Sequence, residues 1–94
     1  MILPFEKIKT LLEKSVQNGA EPELWLIING IMYMIIAYDG YCTFQRCGVK
    51  GMGSGEIRYS TLDELYEAQQ PTDNISLKRD WGRIEDLDSL DIEF

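Results

Sequence analysis

The chain has 94 residues, 45% of them hydrophobic and 27% charged, with a formal net charge of −7 and no histidine. That length holds one domain around one core, and the composition excludes fibrous and intrinsically disordered classes. The absence of histidine removes the commonest general base, the usual serine and cysteine triads and the commonest metal ligand, while the acid excess argues against direct binding to nucleic acid or anionic lipid.

The N-terminal stretch MILPFEKIKTLLEK places Phe5, Ile8, Leu12 and Val16 at three- and four-residue steps behind Pro4, with Asn18-Gly19 as a closing cap. This spacing predicts a helix from about residue 4 to 18 with one apolar stripe. Charges inside the pattern, and no small-residue cleavage motif, distinguish it from a secretory signal, and a cytoplasmic location is expected.

The next segment, ELWLIINGIMYMIIAYDGYCTFQRC, is rich in β-branched and aromatic residues and is punctuated by Asn29-Gly30 and Asp39-Gly40. Its most apolar part, 24–38, is too short for the roughly twenty uninterrupted residues of a membrane-spanning helix. Asn-Gly and Asp-Gly tolerate positive backbone angles, so two successive hairpins are expected, with strands at about 23–28, 31–38 and 41–47. Two-residue turns fix the register: Ile28 opposite Ile31, Leu26 opposite Tyr33, Tyr38 opposite Tyr41 and Ile35 opposite Phe44.

One sheet face then carries Leu24, Leu26, Ile28, Ile31, Tyr33, Ile35, Ala37, Cys42 and Phe44, the expected core beneath the first helix. The opposite face carries Trp25, Ile27, Met32, Met34, Ile36, Tyr38, Tyr41, Thr43, Gln45 and Cys47, and is also largely apolar. Leaving five of these in water would forgo roughly 8–15 kcal/mol, at about 1.5–3 kcal/mol per side chain. A cover is therefore expected: the chain's own C-terminal third, or else a second copy in a homodimer or another protein.

Between the third strand and EIRYS lies GVKGMGSGE, with four glycines and Lys50. Gly48 and Gly53 have the first spacing of a phosphate-binding loop, but Ser54-Gly55 stands where Lys-Ser/Thr is needed and a strand follows in place of a helix. The segment reads as a connection between strands. A small-molecule or enzymatic role for residues 48–55, drawing on Lys50, Tyr59 or Cys47, rests on composition alone.

EIRYS alternates as a short fourth strand would. Ser60 with Asp63, or Thr61 with Glu64, offers a cap for a helix over TLDELYEAQQ that ends at Pro71. Leu77, Trp81, Ile84 and Leu87 then recur at helical steps, broken by Gly82, which predicts one short helix and an extended or frayed ending. The fold class is α+β: an antiparallel meander of three to four strands, an N-terminal helix on one face and short C-terminal helices near the other face or an edge.

The strand followed by STLDELYEAQQ and ISLKRDWGRIEDL, with Leu62, Leu65, Leu77 and Trp81 as its apolar markers, resembles the ending of short uncharacterised proteins carried by phages and mobile elements of Gram-positive bacteria. The resemblance covers about a third of the chain and implies no activity, cofactor or site.

Cys42 and Cys47 fall on opposite strand faces and lack histidine partners, so they read as reduced, buried small hydrophobes. Asp86, Asp88 and Asp91 lack the alternate spacing and central glycine of a calcium loop. No catalytic, metal or cofactor set emerges.

Charge is unevenly placed. Residues 1–60 hold six acids and six bases, whereas residues 61–94 hold ten acids and three bases, the whole net of −7. Glu85, Asp86, Asp88, Asp91 and Glu93 follow Arg83 with no base among them. Together with Trp25, Met34 and Tyr38 on the second apolar face, they are the candidate partner-binding residues of a small acidic interaction protein, an inhibitor or immunity-type factor meeting a basic protein surface.

Overall fold

The computed structural model describes residues 2–47 and 55–92. Helix α1 spans Phe5–Gln17, with Pro4 at its start, Glu6 in its first turn and Lys14 in its last. It closes on Asn18-Gly19: Gly19 takes φ 86, its N–H donates to Val16 O, and Ala20 N–H donates to Ser15 O. Those two bonds satisfy carbonyls that the helix end leaves open, and glycine adopts the left-handed angle they require without strain.

Strands β1 (Glu23–Ile28), β2 (Ile31–Tyr38) and β3 (Tyr41–Arg46) form the two hairpins with every expected cross-strand pair in place. The turns differ. Asn29 and Gly30 both have positive φ, 53 and 73, as in a primed turn, whereas at the second turn only Gly40 does (φ 90), the sign pattern of a type II turn.

β4 (Ile57–Tyr59) pairs with β3, and helix α2 (Leu62–Glu67) follows. Of the two caps offered by the sequence, the structure uses Thr61, whose hydroxyl accepts from Glu64 N–H at 3.1 Å. Helix α3 (Leu77–Asp80) is capped by Ser76 and runs into a 3-10 turn, Trp81–Arg83. The chain then forms β5 (Asp86–Asp88), antiparallel to β1. The sheet therefore has five strands in the order β4-β3-β2-β1-β5, one more than the upper expectation, and it is antiparallel throughout.

The expected cover for the second face is corrected. Leu62, Leu65, Ile75, Leu77, Trp81 and Ile84 join Phe5, Ile8 and Leu12 of α1 over the first face. The reason is width: five strands at about 4.8 Å spacing span roughly 20 Å, while one helix covers about 10–12 Å. Phe5 stacks on Tyr66 at 3.9 Å and meets the edge of Trp81 at 5.3 Å, so α1, α2 and the 3-10 turn close one layer. The Trp81 indole N–H donates to Leu3 O at 2.8 Å.

Buried polar groups fasten this layer. Tyr59 Oη donates to Gln70 Oε1 at 2.7 Å, and Gln70 Nε2 donates to Leu65 O at 3.1 Å. Tyr33 Oη donates to Asp73 Oδ2 at 2.8 Å; burial, then that bond, pushes its pKa up to about 12. Asp80 is buried and accepts from Arg79 at 2.8 and 2.9 Å, from Ser76 N–H at 3.2 Å and from Arg83 at 3.5 Å.

The Arg79 hydrogen bond, more than any other contact, lowers the Asp80 pKa to about 2. A carboxylate whose folded pKa lies below its unfolded value contributes stability that is present above about pH 4 and lost as pH falls toward 2. Asp80→Asn is expected to lower stability at pH 7 by about 1–2 kcal/mol and to flatten the acid limb between pH 4 and 2. Chemical denaturation of both proteins across that range measures it; an unchanged acid limb would show that Asp80 is not the group responsible.

Candidate functional site

Pairing partners in an antiparallel sheet share a face, so the register determines the composition of the surface opposite the core. From one edge to the other it presents Arg58 on β4; Tyr41, Thr43 and Gln45 on β3; Met32, Met34, Ile36 and Tyr38 on β2; Glu23, Trp25 and Ile27 on β1; and Asp86 and Asp88 on β5. None of the described helices lies over it, since α1, α2 and α3 all bury their apolar residues in the cluster on the other face. Trp25, Ile27, Met34 and Ile36 are half-buried among one another, and Met32 is 43% exposed.

The acidic run is an edge strand. Leu87 pairs with Leu26 and points toward the core layer, so the residues on either side of it, Asp86 and Asp88, fall opposite Ile27 and Trp25 on the open face. Among the described residues their hydrogen bonds are local: Asp86 Oδ1 accepts from Leu87 N–H at 3.0 Å and Asp88 Oδ1 from Ser89 N–H at 2.8 Å. Both carboxylates are exposed beside the apolar strip.

Two other candidate acids serve the fold. Glu85 accepts from Gly30 N–H at 3.2 and 3.3 Å and so grips the β1–β2 turn, while Arg83 donates to Asn29 Oδ1 at 3.0 Å in the same turn. Asp91 accepts from Glu23 N–H at 3.0 Å, and Ser89 Oγ donates to Glu23 O at 2.6 Å. Glu93 lies outside the described residues. Of the five acids singled out in the sequence, Asp86 and Asp88 are the pair brought onto the apolar face.

Trp25 and Met34 are cross-strand neighbours, and the indole N–H donates to the Met34 thioether at 3.3 Å, a weak acceptor. Tyr38 stacks on Tyr41 at 4.5 Å, and the Arg58 guanidinium lies 3.9 Å from the centre of the Tyr41 ring. Thr43 is fully buried between Ile36 and Arg58 in the register, and its hydroxyl finds no partner among the described residues. Thr43 and Gln45 lie on this face as the hairpin register predicts, whereas Glu23 and Arg58 went unrecognised in the sequence; the alternation in EIRYS, continued across β3, is the signal that places Arg58 here.

The glycine-rich segment offers less. Residues 48–54, with Lys50, lie outside the described residues. Tyr59, considered with that loop, spends its hydroxyl on Gln70 inside the core layer. A cleft of about 250 Å³ separates the end of α1, the β2–β3 turn and the start of α2, lined by Glu13, Gln17, Tyr38, Cys42 and Thr61 among others. Its one thiol, Cys42, is 2% exposed, donates to Tyr59 O at 3.7 Å, and has its pKa pushed up to about 12 by burial. Among the described residues, no group of three histidine, cysteine or acidic side chains could hold a metal ion, and no helix is long and apolar enough to cross a membrane.

The thiols give a direct check on this description. Cys47 is half-exposed and Cys42 buried, both free. At pH 8 a disulfide-exchange reagent is expected to titrate one thiol per native chain within minutes and the second only in denaturant, because thiolate fraction and access both govern the rate. Rapid reaction of both in the native protein would contradict the buried placement of Cys42. No family model, curated protein or solved structure matches the chain.

Proposed function

We propose that this chain is a small protein-interaction domain that presents the outer face of its sheet to a basic protein surface, in the manner of an inhibitor or immunity-type factor. The observation that carries this is the register of β5: Leu87 facing the core obliges Asp86 and Asp88 to flank Trp25 and Ile27. An apolar strip bordered on one side by carboxylates combines area that favours burial with charge that orients the partner, and charge of this kind raises association rates more than affinity.

Within reach of this surface the balance is acidic. Glu23, Asp86 and Asp88 face Arg58, the sole base on the surface among the described residues. Two copies meeting like edge to like edge through this face would bring carboxylates together, and meeting edge to opposite edge would set three acids of each copy against a single arginine, so a basic partner is the better complement. The whole-chain net charge of −7 acts in the same direction beyond the contact.

The test uses the intact chain and two surface variants, Asp86→Asn/Asp88→Asn and Met34→Asp, as bait in host lysate, with folding checked by circular dichroism. A partner that is lost with either variant and eluted by about 0.5 M salt is expected, since surface attraction is screened within a few ångströms there. Recovery of the same proteins by all three baits would remove the proposal. Sedimentation at micromolar concentration is expected to show a monomer; a dimer broken by Met34→Asp would transfer the face to a second copy.

A further inference from the structure

We infer that the occupant of the open face is an amphipathic α-helix of about fourteen residues with Lys or Arg along one flank. The inference rests on the interaction reading above and names the shape of the partner. The apolar strip is two strands wide, β1 and β2, with Tyr41 of β3 beside them. With strands about 4.8 Å apart, side chains of two strands make a strip roughly 10 Å across, the diameter of a helix with its side chains.

Length agrees with width. From Met32 to Tyr38 the strip runs six residue steps along β2, which is about 20 Å at the strand rise and equals about thirteen or fourteen helical residues. The same sheet already accepts an element of this size on its other side, where the 13-residue α1 is laid over it. An arriving helix would complete a helix–sheet–helix sandwich, a layer arrangement that buries both faces of a sheet.

Charge sets the rest. Asp86 and Asp88 stand two residues apart on the β5 side of the strip, about 7 Å along the strand, and one helical turn rises about 5.4 Å. Basic residues four positions apart on one flank therefore reach both carboxylates, while a separate stripe of apolar residues at i, i+3, i+4 and i+7 lies on Trp25, Met34 and Ile36. Met32 and Met34 fit varied apolar shapes, because unbranched thioether side chains repack readily. A strand would dock differently: it seeks an edge, and both edges here, β4 and β5, offer only three paired residues.

The probes are two synthetic peptides of about fourteen residues, capped at both ends and identical in composition (Leu, Lys, Ala, Gln). One arranges Leu at helical spacing with Lys on one flank; its isomer alternates Leu with polar residues. Each is titrated into the ¹⁵N-labelled full chain and into Asp86→Lys/Asp88→Lys. The helical isomer is expected to bind at least about tenfold tighter than the alternating one and about tenfold tighter to the native chain than to the variant, with shifts at the Trp25 indole N–H and the β1–β2 amides.

Equal binding of the two isomers, weakened alike by the variant, would overturn the helix and leave the acidic interaction surface standing. Shifts confined to α1 or the C-terminal helices, or no shift at about 1 mM peptide, would also overturn it. Loss of the lysate partner's dependence on Asp86 and Asp88 would remove the underlying surface itself.

Discussion

Everything in this fold depends on the two tight reversals, Asn29-Gly30 and Asp39-Gly40. Each turn has two residues, so each leaves no freedom in how the flanking strands are paired, and side-chain direction alternates strictly from there. The sorting that results is unequal in polarity along the chain but not between faces. Leu24, Leu26 and Ile28 go inward, and Trp25 and Ile27, no less apolar, go outward. A slip of one residue in either hairpin would exchange the two sets, yet both would remain greasy, so specificity comes from the turns and from what the rest of the chain can cover.

The rest of the chain covers one side. The C-terminal third wraps the same face as α1, held by the Phe5, Tyr66 and Trp81 aromatic group and by the Asp80 carboxylate with its two arginines. Having crossed that face, it returns along β1, where Glu85 N–H donates to Ile27 O at 2.8 Å and Glu85 and Arg83 grip the first turn. The reversal that sets the register is thus clamped by the segment that supplies the acids. Closing the core and placing Asp86 and Asp88 beside the outer apolar strip are consequences of one chain path.

Much of this was legible in the sequence. Helical spacing behind Pro4, the two Xaa-Gly dipeptides and the Thr61-to-Glu64 cap are local signals, and each starts its element at the expected place, although α2 ends at Glu67, short of the expected stop at Pro71. What escaped was non-local. Nothing local distinguishes which face Leu62, Leu65 and Leu77 will cover; that is decided by the width of the assembled sheet against the width of one helix. β5 was hidden because three residues inside an acidic run have poor strand propensity and are held by pairing with β1. The alternation Asp86-Leu87-Asp88 is, in retrospect, a period-two pattern of the length expected for an edge strand. The candidate surface was half visible: its apolar members followed from the hairpins, while its acidic border required knowing where β5 docks.

Among the described residues the outer sheet face is largely apolar and no helix covers it. Paramagnetic broadening of methyl resonances by a neutral soluble nitroxide, measured on the monomeric chain, tests it most directly. An open face gives strong broadening of the Met32 and Met34 methyls and of Ile36, with Ile35 and Leu26, their neighbours on the core side, protected. Equal protection on both sides would show the face to be covered already and not open.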